Sequence, residues 1–273
     1  MRVYAIGDIH GRDDLLGKLA EAVESDRRTA RGDVLTLFLG DYVDRGPESA
    51  AVVDRLARRR FPTPFRALRG NHEAMLLQFL DDASVLDAWR GVGGLETLSA
   101  YGVEVGEAMR GRNFEAARDA FIAALPAAHR HFLETTELTA TIGDYFFCHA
   151  GVRPGRPLER QSEVDLLWIR DAFLAYERPF GKVVVHGHTQ VAGPEIRANR
   201  INIDTGAFAA SMLTCLALEG EDRRFLSAVG PAAANSRPDQ ANGSDTSGQA
   251  MAGGRQASRR DIAGGDAIGV LGG

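Results

Sequence analysis

Five short loops constrain this chain more than any other feature. Each follows an apolar run with strand character, and each pairs glycine with Asp, Asn or His. Gly7-Asp8-Ile9-His10-Gly11 follows residues 2–6, and Gly40-Asp41-Tyr42-Val43-Asp44-Arg45-Gly46 follows residues 34–39. Arg69-Gly70-Asn71-His72-Glu73 follows residues 65–68, His149-Ala150-Gly151 follows residues 145–148, and His186-Gly187-His188-Thr189 follows residues 182–185. Short apolar runs alternating with amphipathic stretches are the pattern of an α/β protein, whose ligands bind where strands end and turns begin.

Each loop alone has a plain reading. Asp caps a helix, glycine relaxes a turn, and a single His is more often a satisfied structural side chain than a ligand. Turn chemistry, however, gives no reason to place histidine in four of the five loops. Carboxylate, amide and imidazole donors at successive strand ends are the set suited to divalent first-row metals.

Helical spacing runs from Asp13 to about Thr29, with Leu15, Leu19 and Val23 on one face, and again from Glu48 to Arg60. Arg58-Arg59-Arg60 closes the second stretch where the helix dipole favours cations, ahead of Pro62 and Pro64. It therefore reads as a solvated helix end rather than a nucleic-acid patch. Residues 73 to about 135 are helical in pattern, an insertion between two parts of the α/β core. Further strands are expected over residues 200–203, 214–218 and 225–229, the last two as a hairpin around the polar 219–224. Residues 231–273, rich in Ala, Gly, Ser, Asp and Gln, cannot bury enough apolar surface to offset their ordering entropy and read as a disordered tail.

A net charge of −5 argues against a protein that grips nucleic acid by charge. No run approaches the roughly 20 apolar residues needed to cross a bilayer, and the N-terminus reads as a strand rather than a signal peptide. The two cysteines, Cys148 and Cys215, each sit in an apolar run and form no disulfide framework. A cytoplasmic protein with neither nucleic-acid nor membrane partner is expected, with the oligomeric state open.

In this order, the five motifs resemble the phosphoprotein phosphatase family of metallophosphoesterases, above all the bacterial and phage-type serine/threonine phosphatases, over roughly residues 1–220. The resemblance implies an α/β fold with a central β-sandwich flanked by helices, four layers αββα, its site at the strand ends. One catalytic domain would span 1–230, with the helical insertion at about 74–136. Asp8 and His10 would bind a first metal, Asp41 would bridge, and Asn71, His149 and His188 would complete the second. His188 is the histidine of Gly-His-Thr, so His186 becomes a supporting or pocket residue. Gln190 stands where wider relatives carry another ligating His. The cofactor expected is a pair of divalent ions, manganese first, iron or zinc as alternatives.

Such a pair would hold a bridging water and lower its pKa, giving a hydroxide to attack phosphorus. His72, oriented by Asp44, would protonate the departing alkoxide. Arg45 would bind the substrate phosphate, with Arg170 as the second arginine and Arg153 as a weaker candidate. Asp204, in Asn202-Ile203-Asp204-Thr205-Gly206, takes no metal role and reads as a turn cap. The expected enzyme is a metal-dependent phosphomonoesterase acting on phosphoserine or phosphothreonine in proteins, or on a small phosphoester. One alternative is symmetrical cleavage of dinucleoside tetraphosphates, against which the acidic Asp44 before Arg45 counts. The other is a non-catalytic binding module of the same fold, against which the complete set of ligands, His72 and Asp44 counts.

Overall fold

The computed structural model describes residues 1–231. Among these residues, ten strands form two five-stranded sheets. The first contains β1 (Arg2–Ile6), β2 (Val34–Phe38), β3 (Phe65–Ala67), β9 (Met212–Glu219) and β10 (Asp222–Val229), in the order β10-β9-β1-β2-β3. The second contains β4 (Thr139–Ile142), β5 (Tyr145–Cys148), β6 (Val183–His186), β7 (Glu195–Ile196) and β8 (Arg200–Asn202), in the order β4-β5-β6-β8-β7. β1, β2 and β3 run parallel, as do β5, β6 and β8; β9, β10, β4 and β7 pair antiparallel.

Strand alternation divides the core into layers. Val3, Ala5, Leu37, Leu216 and Leu218 face Phe147, Val185 and Ile201 across the space between the sheets. Their sequence neighbours Tyr4, Ile6, Phe38, Cys215 and Ala217 face outward, against the helices α1 (Asp13–Arg27), α2 (Ser49–Ala57) and α3 (Asn71–Asp81). On the far side, Phe146, Cys148 and Val184 pack on Leu166, Ile169 and Phe173. The architecture is αββα. A fully buried Leu or Phe contributes about 1.5–3 kcal/mol, and a one-residue slip would move a whole strand's set to the wrong face, so the register is fixed.

Leu15, Leu16, Leu19 and Val23 are the buried stripe of α1, and Asp13 and Asp14 open its first turn. Between β3 and β4 the chain is helical, but broken into six α-helices, α3, α4 (Leu86–Trp89), α5 (Gly94–Ala100), α6 (Gly106–Met109), α7 (Phe114–Ala124) and α8 (Ala127–Glu134), with 3-10 turns at Ala83–Val85 and Arg90–Val92. Gly93, Gly102 and Gly111, all with positive φ, and Pro126 mark breaks between them. Phe79, Trp89 and Phe121 fill its interior.

Several boundaries differ from the sequence reading. β6 extends to His186, which ends a strand rather than opening a loop. The last hairpin is tighter than expected, because Gly220 at φ 61° allows a two-residue turn between Glu219 and Asp222. The edge strands β4 and β7, and the helices α9 (Glu163–Trp168) and α10 (Asp171–Leu174), are too short to announce themselves by periodicity. The loops after β1 and β3 lead into helices; those after β5 and β6 do not. Both cysteines are buried free thiols. No helix among the described residues is long and apolar enough to cross a membrane. The tail expected over 231–273 lies, beyond Pro231, outside the described residues.

Candidate metal centre

Parallel pairing brings the carboxyl ends of β1, β2 and β3 to one edge of their sheet, and those of β5 and β6 to one edge of theirs. The five loops meet there, and their backbone is unusual. His10 (φ 47°), Asp41 (53°), Asp44 (73°), Arg45 (66°) and His188 (65°) all adopt left-handed conformations. These are costly outside glycine and persist only where surroundings hold them. Ile9 N and His10 N donate to the Asp41 carbonyl at 3.0 and 2.8 Å. The fully buried Glu73 carboxylate accepts from Asp41 N and Tyr42 N at 2.8 Å each, and from Gly70 N at 2.9 Å. Glu73 thus ties the second loop to the third, a role the sequence reading did not assign it. Burial and the Asp41 charge raise its carboxyl to about 7, against the pull of those N–H donors. Two glycines are obligatory for space: a Cβ on Gly187 would collide with Asp8 Oδ1, and one on Gly70 with Asp41 Oδ1.

Asp41 is the hub. His10 Nε2 and His72 Nε2 lie 3.5 and 3.8 Å from its Oδ2, and His149 Nε2 lies 3.4 Å from its Oδ1. Two buried groups share it: His10, Asp41 and His72, and Asp41, His149 and His188, with the ligand atoms of each within 4.8 Å of one another. Asn71 Oδ1 joins the second group, 2.9 Å from His149 Nε2 and 3.0 Å from His188 Nδ1. Asp8 belongs to neither three-residue group; its Oδ2 accepts from His188 N at 2.9 Å.

The donor set fits divalent cations. His149 Nδ1 donates to the Leu39 carbonyl at 2.9 Å and His10 Nδ1 to the Val43 carbonyl at 3.0 Å, which leaves both Nε2 lone pairs facing Asp41. Burial lowers the pKa of both rings, aided at His10 by Arg45 and His72 and opposed at His149 by Asp41. His188 lies well below the usual range through burial, His149 and Arg170. Neutral imidazole is the ligating form. Asp8 Oδ1 is buried without a hydrogen-bond partner. Burial, then Asp204 and Asp41, push the Asp8 carboxyl well above the carboxylate range, a cost that a bound cation relieves.

His72 Nδ1 donates to Asp44 Oδ2 at 2.6 Å, which turns Nε2 towards Asp41. Burial alone would lower the His72 pKa; Asp41 and Asp44 outweigh it and raise it. Asp44 also accepts from Trp89 Nε1 at 2.6 Å and from Thr97 Oγ1 at 2.5 Å. Neither donor was foreseen, because both arrive from the helical stretch between β3 and β4, more than 40 positions away in sequence. Arg45 bears electrostatically on Asp8, His10 and His72, and Arg170 Nε sits 3.2 Å from His188 Nε2. Arg153, the weaker candidate, is tied to Asp165 instead. His186 packs edge-to-face on Phe173, and burial lowers it to about 3. Asp204 Oδ1 accepts from Gly206 N at 3.0 Å, the turn cap the sequence suggests. It is also close enough to raise Asp8 and to feel Arg45 and Arg170, which the sequence did not reveal.

The chain is similar to known proteins. Residues 1–208 match the family described as calcineurin-like phosphoesterase. The asymmetrical bis(5′-nucleosyl)-tetraphosphatase of Bacillus velezensis is 31% identical over 230 residues, covering 77% of this chain and 86% of that one. The Shewanella-like protein phosphatase 2 of Arabidopsis thaliana is 28% identical, covering 62% of this chain and 51% of that one. A proposed diadenosine tetraphosphatase shares the fold with a TM-score of 0.58 at 21% identity, covering 84% of this chain and 95% of that one. With its αββα sandwich and its histidine and aspartate groups gathered at the strand ends, the chain belongs to the calcineurin-like phosphoesterase family, as a metallophosphoesterase of the phosphoprotein phosphatase type.

Proposed function

We propose that the chain hydrolyses nucleotidyl polyphosphates, with dinucleoside tetraphosphates as the leading substrate class, at two divalent cations held by Asp8, His10, Asp41, Asn71, His149 and His188. The chemistry is supported by one observation above all: His10 on one side and His149 and His188 on the other converge on Asp41. The substrate class is supported by the tetraphosphatase relative at 31% identity. Manganese suits the mixed oxygen and imidazole donors, with iron or zinc as alternatives. A single catalytic domain over 1–230, with the insertion at about 74–136, and a reducing cytoplasmic setting for the two buried thiols complete the reading.

Bound cations would acidify a water and neutralise phosphate charge. The chain's own residues supply the remainder. His72 donates its Nε2 proton to the oxygen that leaves phosphorus, while Asp44 keeps Nδ1–H in place and favours the imidazolium that precedes donation. Arg45 and Arg170 offer planar forks to the phosphate oxygens.

A second reading, phosphoserine or phosphothreonine hydrolysis, is favoured by the intact His72–Asp44 pair. An alkoxide needs a proton to depart, whereas a departing nucleotide needs it less. Comparing kcat/KM on diadenosine tetraphosphate and on a phosphoserine peptide, with metal-defined protein, separates the two. Higher efficiency on the tetraphosphate supports the leading reading; the reverse order transfers support to the second.

A further inference from the structure

Trp168 is the only aromatic side chain among the large apolar residues left exposed in the described structure, at 37% of its surface. Trp89, the other tryptophan, is fully buried. Trp168 is the last residue of α9, whose Leu166 and Leu167 enter the core. Val164, one turn earlier and also exposed, shares its outward face.

The indole lies beside the metal ligands rather than on a remote surface. Its ring meets the His188 ring edge-on, with centroids 6.3 Å apart and an interplanar angle of 84°. Two residues further on, Arg170 Nε lies 3.2 Å from Nε2 of that same imidazole. One histidine of the metal centre is thus flanked by a partly exposed aromatic plane and a guanidinium fork. A ligand that presents a phosphate to the fork has its next group within reach of the indole.

We propose that Trp168 is the platform on which a base of a nucleotidyl polyphosphate stacks while Arg170 takes an adjacent phosphate, an inference that rests on the dinucleoside polyphosphate reading. Every nucleobase has a π face, and a base stacked on an aromatic side chain gains roughly 5- to 150-fold in affinity. A phosphoserine side chain has no π face and gains nothing from the indole. Trp168 therefore biases the site towards nucleotides without taking part in bond cleavage.

Trp168→Ala and Trp168→Phe separate these effects in metal-loaded enzyme. Diadenosine tetraphosphate is compared with inorganic tripolyphosphate, which carries the anhydride without a base. The alanine variant is expected to raise KM for the tetraphosphate about tenfold or more, leave KM for tripolyphosphate within about twofold, and recover largely as phenylalanine. The methylene analogue of ADP should quench wild-type tryptophan fluorescence and fail to quench the phenylalanine variant, whose remaining Trp89 is buried. Equal KM changes on both substrates, or unchanged KM for the tetraphosphate, overturn the platform while leaving the nucleotide reading intact. A wild-type enzyme that cleaves tripolyphosphate but not the tetraphosphate overturns both.

Discussion

Trp89 Nε1 and His72 Nδ1 donate to the same oxygen, Oδ2 of Asp44, each at 2.6 Å. Thr97 Oγ1 donates to the other oxygen at 2.5 Å. Asp44 is fully buried, so three donors fix its carboxylate and, through it, the His72 ring. Trp89 and Thr97 belong to α4 and α5, which makes the helical stretch between β3 and β4 a structural part of the site.

Trp89→Phe keeps most of the ring volume and deletes the donor. A hydrogen bond to a charged group is worth about 1.5–3 kcal/mol, so kcat should fall roughly tenfold or more with the metal content unchanged. Steady-state rates beside elemental analysis of the same sample test this. An unchanged kcat would mean that Asp44 holds His72 without help from α4.

His72→Asn should be sensitive to the leaving group. General acid catalysis contributes on the order of 10²–10⁴, and p-nitrophenolate leaves without needing much of it. The loss should be far greater on an alkyl phosphate than on p-nitrophenyl phosphate. Equal losses on both would remove His72 from the role of acid.

Arg45→Ala and Arg170→Ala should each lower kcat/KM by on the order of 10²–10³, as deletion of a preorganised charge donor does elsewhere. Measuring both variants on one substrate separates their contributions. A wild-type rate in either would place the phosphate clamp on other side chains.

Asp165 carries a pH-dependent share of stability. Burial would raise its carboxyl, but Arg153 Nε at 2.8 Å, Ser162 Oγ at 2.7 Å and Arg156 hold it below the usual range. A folded-state pKa below the unfolded value of about 3.9 gives stability that is present above that pH and lost as pH falls through the folded value. Asp165→Asn should therefore cost about 1–3 kcal/mol at neutral pH, and the gap should narrow below about pH 4. Urea unfolding of both proteins at pH 7 and pH 3.5 checks the sign. A gap that widens in acid would contradict it.

The loops themselves were legible in the sequence, because glycine beside Asp, Asn or His at a strand end is a local pattern. So were β1 and β9 as apolar runs, though not their faces: both faces are apolar, and only the structure puts Val3 and Leu216 in one layer and Tyr4 and Cys215 in another. Long-range partners were not. Nothing local marks Trp89 or Thr97 as donors to Asp44, or Glu73 as the acceptor for Asp41 and Tyr42, since these pairings arise only when loops meet. Asp204 looked like a turn cap and is one; its proximity to Asp8 comes from packing of the Ile203 backbone against Gly7.

Metal stoichiometry of the purified, manganese-reconstituted and desalted protein tests the shared-aspartate centre most directly. Two ions per wild-type chain, falling to one or none in Asp41→Asn with the fold retained by circular dichroism, is the expected outcome. A wild-type chain that retains no metal, or an Asp41→Asn variant that retains both ions, would contradict it.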